Sequence, residues 1–279
     1  MKGNQEIEAL INLVDDEDES IYFQVKEKLL SYGTDAVPYL EKAWETLRFG
    51  EDFQNRIELI IHEIQFKDVR EGLKQWIESG GKDLLKGVLL INKHQYPDLD
   101  VMNIRAQILD IAAIIKSSFT ENMSDLQKVS TINKGLYGHF GFRGDNDTYY
   151  SPKNSILSDV LERKKGNPLL LSILYIEVAR ILELNVVGIN LPRHFVVALK
   201  KDEQISYYLS PFNRGTVLTL EDLHTYLKKL NLPIENQFLG ECSNLDIIKR
   251  VLLNLINSYM KEKNKEKQEE VSSLYELFT

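Results

Sequence analysis

The chain has 279 residues, 43% of them apolar and 27% charged, with a formal net charge of −8 and an isoelectric point near 5.3. That is the composition of a folded globular protein with material for one large core or two smaller ones, and its average field repels polyanions, which argues against nucleic acid as a partner. A single cysteine excludes an intramolecular disulfide framework and a multi-cysteine zinc site, no apolar run reaches the roughly 18 residues of a membrane span, and no secretory signal opens the chain, so a reducing, cytoplasmic setting without membrane contact is expected.

Residues 1–134 read as an all-helical domain. Ile21, Val25, Leu29 and Leu30 recur at helical spacing; Gly33 suits the position after a helix end, and Thr34 the N-cap of a next segment carrying Val37, Tyr39, Leu40 and Trp44. Further helical patterns cover 53–66, 68–79, 83–93 and 101–118, divided by Gly80-Gly81 and by Tyr96-Pro97-Asp98. Paired helices of this size predict a stack resembling HEAT repeats, without a sustained sequence period to mark it. The acidic run Asp15-Asp16-Glu17-Asp18-Glu19 reads as a solvated helix flank.

A second domain is expected over 135–240. It opens on "GLYGHFGFRGDNDTYYSPKNS", which has no helical period; its density of Tyr and Phe predicts an ordered loop rather than a flexible linker. Asn167 as N-cap and Pro168 at the first helical position start a helix that is apolar nearly all round, the mark of a buried spine. Beyond it a strand over His194–Leu199, a turn at 200–203 and a strand over Ile205–Leu209 predict a hairpin. Thr219, with Asp222 three residues on, caps a helix reaching Leu230. Residues 241–279 read as a helical hairpin packed on this domain, so the fold class is α+β.

The start of the Pro168 helix is where partial positive charge would lower a thiol pKa, and cysteine nucleophiles are often found in such a place. No cysteine is present there. His194 occupies the place of a base, and Ser210, near Asn213, the place of the group that would orient it. These two are candidate remnants of a triad rather than a working one. Asn154, Arg163, Asn167, Arg193 and His194 are candidate binding residues, and Arg163, Lys164, Lys165, Arg193 and Arg214 form a possible local anion site. The His194 pKa is expected below the usual 6.5 or so, because a helix N-terminus disfavours imidazolium. Cys242 reads as a small buried apolar residue, and Arg250, inside an apolar helix, as the partner of a carboxylate or of carbonyls. His62, His94, His139 and His224 share no metal-binding spacing, and Gly138, Gly141 and Gly144 match no phosphate loop. No metal or cofactor is expected.

The stretches "YYSPKNSILSDVLERKKGNPLLLSILYIEVARILELNVVGINLPRHF", "SPFNRG" and "IIKRVLLNLINSY" resemble the transglutaminase-like family of the SirB type over roughly 130–262. The resemblance implies a papain-like transglutaminase core with a degenerate triad, and in many members tetratricopeptide repeats at the C-terminus. This chain departs from the pattern at Ser210, where "DPF" often has aspartate, at Ser151, where "YDP" has another, and at Arg193, where glycine commonly precedes His-Phe; its C-terminal part has room for one helical hairpin. The function expected is a non-catalytic binding or scaffold module with a protein or peptide partner. The alternative is a cysteine-independent hydrolase or acyltransferase using His194, and a third reading has the 135–158 loop filling the cleft.

Overall fold

A computed structural model describes residues 2–45 and 50–278. By compactness the chain forms two units, one of Met1–Gln75 with Lys93–Pro97 and one of Trp76–Asn92 with Asp98–Thr279. Most of the helical segment between 84 and 133 therefore belongs to the same unit as the sheet, where sequence alone had grouped it with the N-terminal helices.

In the first unit, α1 (Lys2–Ile11), α2 (Glu19–Tyr32), α3 (Val37–Trp44) and most of α4 (Glu51–Glu78) surround a core of Ile7, Ile11, Val25, Leu29, Leu40, Phe53, Ile57, Ile60 and Ile64. Gly33 does end α2, at φ +59°. Thr34 caps nothing: a 3-10 turn over Gly33–Ala36 leads straight into α3, whose N-cap Ala36 has no side-chain bond and whose first turn carries Pro38. The segments 53–66 and 68–79 are one continuous α4. Their apparent break is a skip in the buried stripe, from Ile64 to Val69, and with neither Gly nor Pro between those residues the backbone has no cause to stop. The acidic run is only partly free: Asp18 caps α2, and Arg56 donates to the Val14 and Asp16 carbonyls, pairs with Glu19 at 2.8 Å and lies over the Tyr22 ring.

The second unit contains α5 (Leu84–Gln95) up to Asn92, α6 (Val101–Lys116), α7 (Asp125–Asn133), α8 (Leu157–Arg163) and α9 (Pro168–Ile181). The sheet segment is followed by α10 (Leu220–Lys229), α11 (Asn236–Leu239) and the predicted hairpin of α12 (Asn244–Glu262) and α13 (Lys265–Tyr275). The fold is α+β. As the sequence predicts, α9 is the spine: Asn167 Oδ1 accepts from the Leu170 amide at 2.9 Å, Pro168 follows, and Leu170, Ile173, Leu174 and Val178 are at most 1% exposed, each contributing about 2 kcal/mol of apolar burial.

Four strands, β3 (Val186–Ile189), β4 (Val196–Lys201), β5 (Gln204–Ser210) and β6 (Thr216–Leu218), form one antiparallel sheet in that order. The hairpin expected from sequence is its centre, but β4 starts at Val196, so His194 lies in the preceding turn and not on a strand. The 135–158 segment is ordered but not a plain loop. A π-helical turn (Lys134–His139) is followed by the short β1 (Arg143–Gly144), which pairs in parallel with β2 (Lys165–Gly166), and by a 3-10 turn over Pro152–Ser155.

Candidate functional site

The residues flanking the start of α9 form a buried polar network. Asp145 is 1% exposed; its Oδ1 accepts from the Asp147 and Thr148 amides, and its Oδ2 from the Thr148 hydroxyl at 2.6 Å and the Arg163 guanidinium at 2.9 Å. Burial alone would raise its pKa, yet the Thr148 hydroxyl and amide, Arg163 and Asn154 together hold it well below the usual carboxylate range. Asn154, with no exposed surface, donates to the Thr148 carbonyl at 2.7 Å and accepts from Arg163 at 3.2 Å. Asn167 caps α9 and donates to Ser155 Oγ at 2.8 Å. Asn154, Arg163 and Asn167 are thus brought together, with their polar atoms bonded within the fold. Asp145, which holds them, carries no sequence signal beyond an aspartate in an Asx-rich loop.

His194 meets Phe212 outside this network. The His194 ring is half-buried, edge-on to Phe212 at 6.5 Å and tilted to Tyr226 at 6.0 Å between centroids. Its nitrogens have no hydrogen-bond partner among the described residues. Burial lowers its pKa, and the positive charge of Arg250 adds to that. The direction agrees with the sequence expectation, and its causes are burial first and Arg250 second. Arg250 projects from α12 and, in place of the carboxylate or carbonyls expected, donates to the side-chain oxygen of Asn190 at 3.2 Å; no carboxylate pairs with it among the described residues. Tyr226 donates to the Pro192 carbonyl at 2.8 Å, which ties α10 to the turn carrying His194, and Tyr149 stands edge-on to Phe212. Arg193 is exposed, in left-handed backbone at φ +61°.

Ser210, 1% exposed, accepts from Asn213 at 3.1 Å and makes no bond to His194. Cys242 donates its thiol to the Gly188 carbonyl at 3.3 Å, and burial pushes it up to about 12. At neutral pH that sulfur is a thiol, not a thiolate.

Phe212 also lines a cavity of about 600 Å³ that His194 does not line. Gly144 makes its shape possible, because a Cβ there would fall 2.5 Å from the Phe212 ring. Arg143, Arg214, Asn146 and Asn213 line it with Phe212 and Tyr137, and no carboxylate does so among the described residues. Arg143 and Asn146 drew no attention in the sequence, since nothing in linear spacing sets them opposite Arg214.

The family model of the transglutaminase-like superfamily matches residues 102–253, more than half of the chain, and the chain belongs to that family. A UPF0162 protein of Xylella fastidiosa (strain 9a5c) is 33% identical over 63% of this chain and 64% of its own length. SirB1 of Salmonella typhimurium is 22% identical over 68% of this chain and 71% of its own, and the mouse F-box only protein 21 is 24% identical over 58% of this chain and 31% of its own. The chain therefore spans a little under two thirds of the Xylella relative. No solved structure matches it. Among the described residues no helix is long and apolar enough to cross a membrane.

Proposed function

We propose that the transglutaminase-like unit is a non-catalytic binding module, which holds a protein or peptide segment against the face formed by His194, Tyr226 and Arg250. One observation carries this reading: the imidazole in the place of a catalytic base has no acceptor to orient it and no nucleophile beside it. A base that works through a triad needs a carboxylate or amide oxygen to fix its tautomer and stabilise imidazolium. Here the nearby charge is a guanidinium, which has the opposite effect. The start of α9 offers an asparagine already bonded on both sides of its amide, and the one thiol is tied to a main-chain carbonyl. The aromatic and cationic groups left facing His194 suit recognition of a carboxylate-bearing or aromatic segment.

The test is turnover against a panel of amide, thioester and ester substrates, with wild type beside His194→Ala and Cys242→Ala. No turnover is expected from any of the three. Turnover by wild type that His194→Ala abolishes would overturn the reading in favour of a cysteine-independent hydrolase or acyltransferase.

A further inference from the structure

We infer that the cavity lined by Phe212 is a binding site for a small phosphate monoester with a planar apolar body. It rests on the cavity itself and does not depend on whether His194 is catalytic.

Volume sets the scale. About 600 Å³ lies within the range of small-molecule sites, roughly 300–1,000 Å³. Charge sets the class. Arg143 and Arg214 both line the space, and neither has a carboxylate partner among the described residues; the bond recorded for the Arg214 side chain is to the Tyr137 carbonyl at 3.2 Å. A third cation stands close by, for the Lys164 ammonium lies 4.8 Å from the centroid of the Phe142 ring, which forms part of the same wall. The carboxylates on either side of Asn146 in the chain are already committed, Asp145 to Arg163 and Asp147 to Lys165. Two guanidinium groups and an ammonium without anions of their own call for a ligand with more than one negative charge. A phosphate monoester supplies about −1.5 to −2 near pH 7 and three acceptor oxygens, and guanidinium groups bind such oxygens in pairs. The amides of Asn146 and Asn213 add neutral donors at the same wall. The body of the ligand would lie against Phe212, which Gly144 lets lie close to β1.

Two of these cations also lie in unusual backbone. Lys164 and Arg214 both occupy left-handed conformations, each at φ +57°, where Gly or Asn is the residue least strained. Each ends a short helical segment, so the geometry alone would favour one of those two. The chain instead carries a cation at both, as it also does at Arg193 and Lys263, and of these four Arg214 lines the cavity while Lys164 lies on the ring of Phe142 in its wall.

Three probes separate charge from shape in calorimetric titrations of the full chain at pH 7.5: phenyl phosphate, phenyl sulfate and inorganic phosphate. Phenyl sulfate has the form of phenyl phosphate with a single charge. Phenyl phosphate is expected to bind at least tenfold more tightly than phenyl sulfate and more tightly than inorganic phosphate, and to weaken severalfold at pH 5, where it loses charge. Arg143→Gln should weaken it at least tenfold, as should Arg214→Asn, which suits the left-handed backbone. Arg214→Lys should recover part of the loss, and circular dichroism would establish that the variants are folded. Absence of saturable binding, equal affinity for the sulfate, or affinity unchanged in a folded Arg143→Gln/Arg214→Asn double variant would each overturn the assignment.

Discussion

At the scale of single residues, the unit keeps its charged groups in two opposite conditions. Asp145 is a buried anion given every hydrogen bond it can use, and His194 is a half-buried base given none. Each makes a prediction whose sign follows from linkage. Asp145 has a folded pKa below its unfolded one, so its contribution is complete above the unfolded value of about 3.9 and is lost as pH falls below that. Asp145→Asn should cost about 3 kcal/mol at pH 7, since it leaves Arg163 without its anion, and should flatten the acid limb of the stability curve; denaturant melts from pH 7 down to 3 measure both. For His194 the folded pKa lies below 6.5, and the unfolded chain takes up the proton more readily. The residue therefore subtracts stability as pH falls through that value and has no such effect at pH 8. Arg250→Gln should raise its midpoint in an NMR titration of the ring C–H without bringing it to the unperturbed value, because burial, the larger cause, stays. An unchanged midpoint would show that Arg250 does not act on it.

At the scale of elements, caps and turns determine which segments can hold these groups. Asn167 serves α9 twice, through its side-chain oxygen to Leu170 and its amide to Ser155. Asn167→Ala should therefore cost about 2 kcal/mol, the upper end for a lost N-cap, read as a shift in denaturant midpoint at constant slope. The β4–β5 connection offers the opposite case. Lys201 pairs with Gln204, leaving Asp202 and Glu203 as a two-residue turn at φ +48° and +62°. Positive φ at both positions is the type I′ turn that Asn-Gly adopts without strain. Replacing Asp202-Glu203 by Asn-Gly is expected to stabilise the chain by about 1 kcal/mol, and a lower melting temperature would show the turn to be held by something other than its own backbone.

At the scale of the whole molecule, a net charge of −8 coexists with local positive walls, and both bear on partners. Phosphate contacts dominate nucleic-acid affinity, and a chain whose average field is negative gains little from them. Gel-shift assays with duplex DNA and RNA at about 150 mM salt should give no retained complex. A small dianion inside a cavity is different. There the lining charges are Arg143 and Arg214, the flanking Asp145 and Asp147 are paired with Arg163 and Lys165, and carboxylates beyond a Debye length are largely screened.

Periodicity, caps and breakers are local, and these were legible in the chain. Asn167-Pro168 announced α9, Thr219 with Asp222 announced α10, and Gly80-Gly81 separated α4 from α5, because a cap or a positive φ is decided within a few residues. That no cysteine stands before Pro168 was legible too, since it needs no coordinates. What failed was whatever depended on distant partners. A strand between α9 and the histidine turn was legible and is β3, whereas the short β6 has too few residues to declare a period and exists because β5 gives it something to pair with. Residues 53–66 and 68–79 looked separate because the stripe skips where α4 stops facing one set of neighbours and faces another. Arg250 was conspicuous as a charge in an apolar helix, but whether it met a carboxylate, a carbonyl or the amide of Asn190 depended on a residue 60 positions away. The cavity is the extreme case: Arg143 and Arg214 line one wall only because β1, the turn after β5 and Gly144 meet there, and side chains so far apart along the chain become neighbours through packing alone.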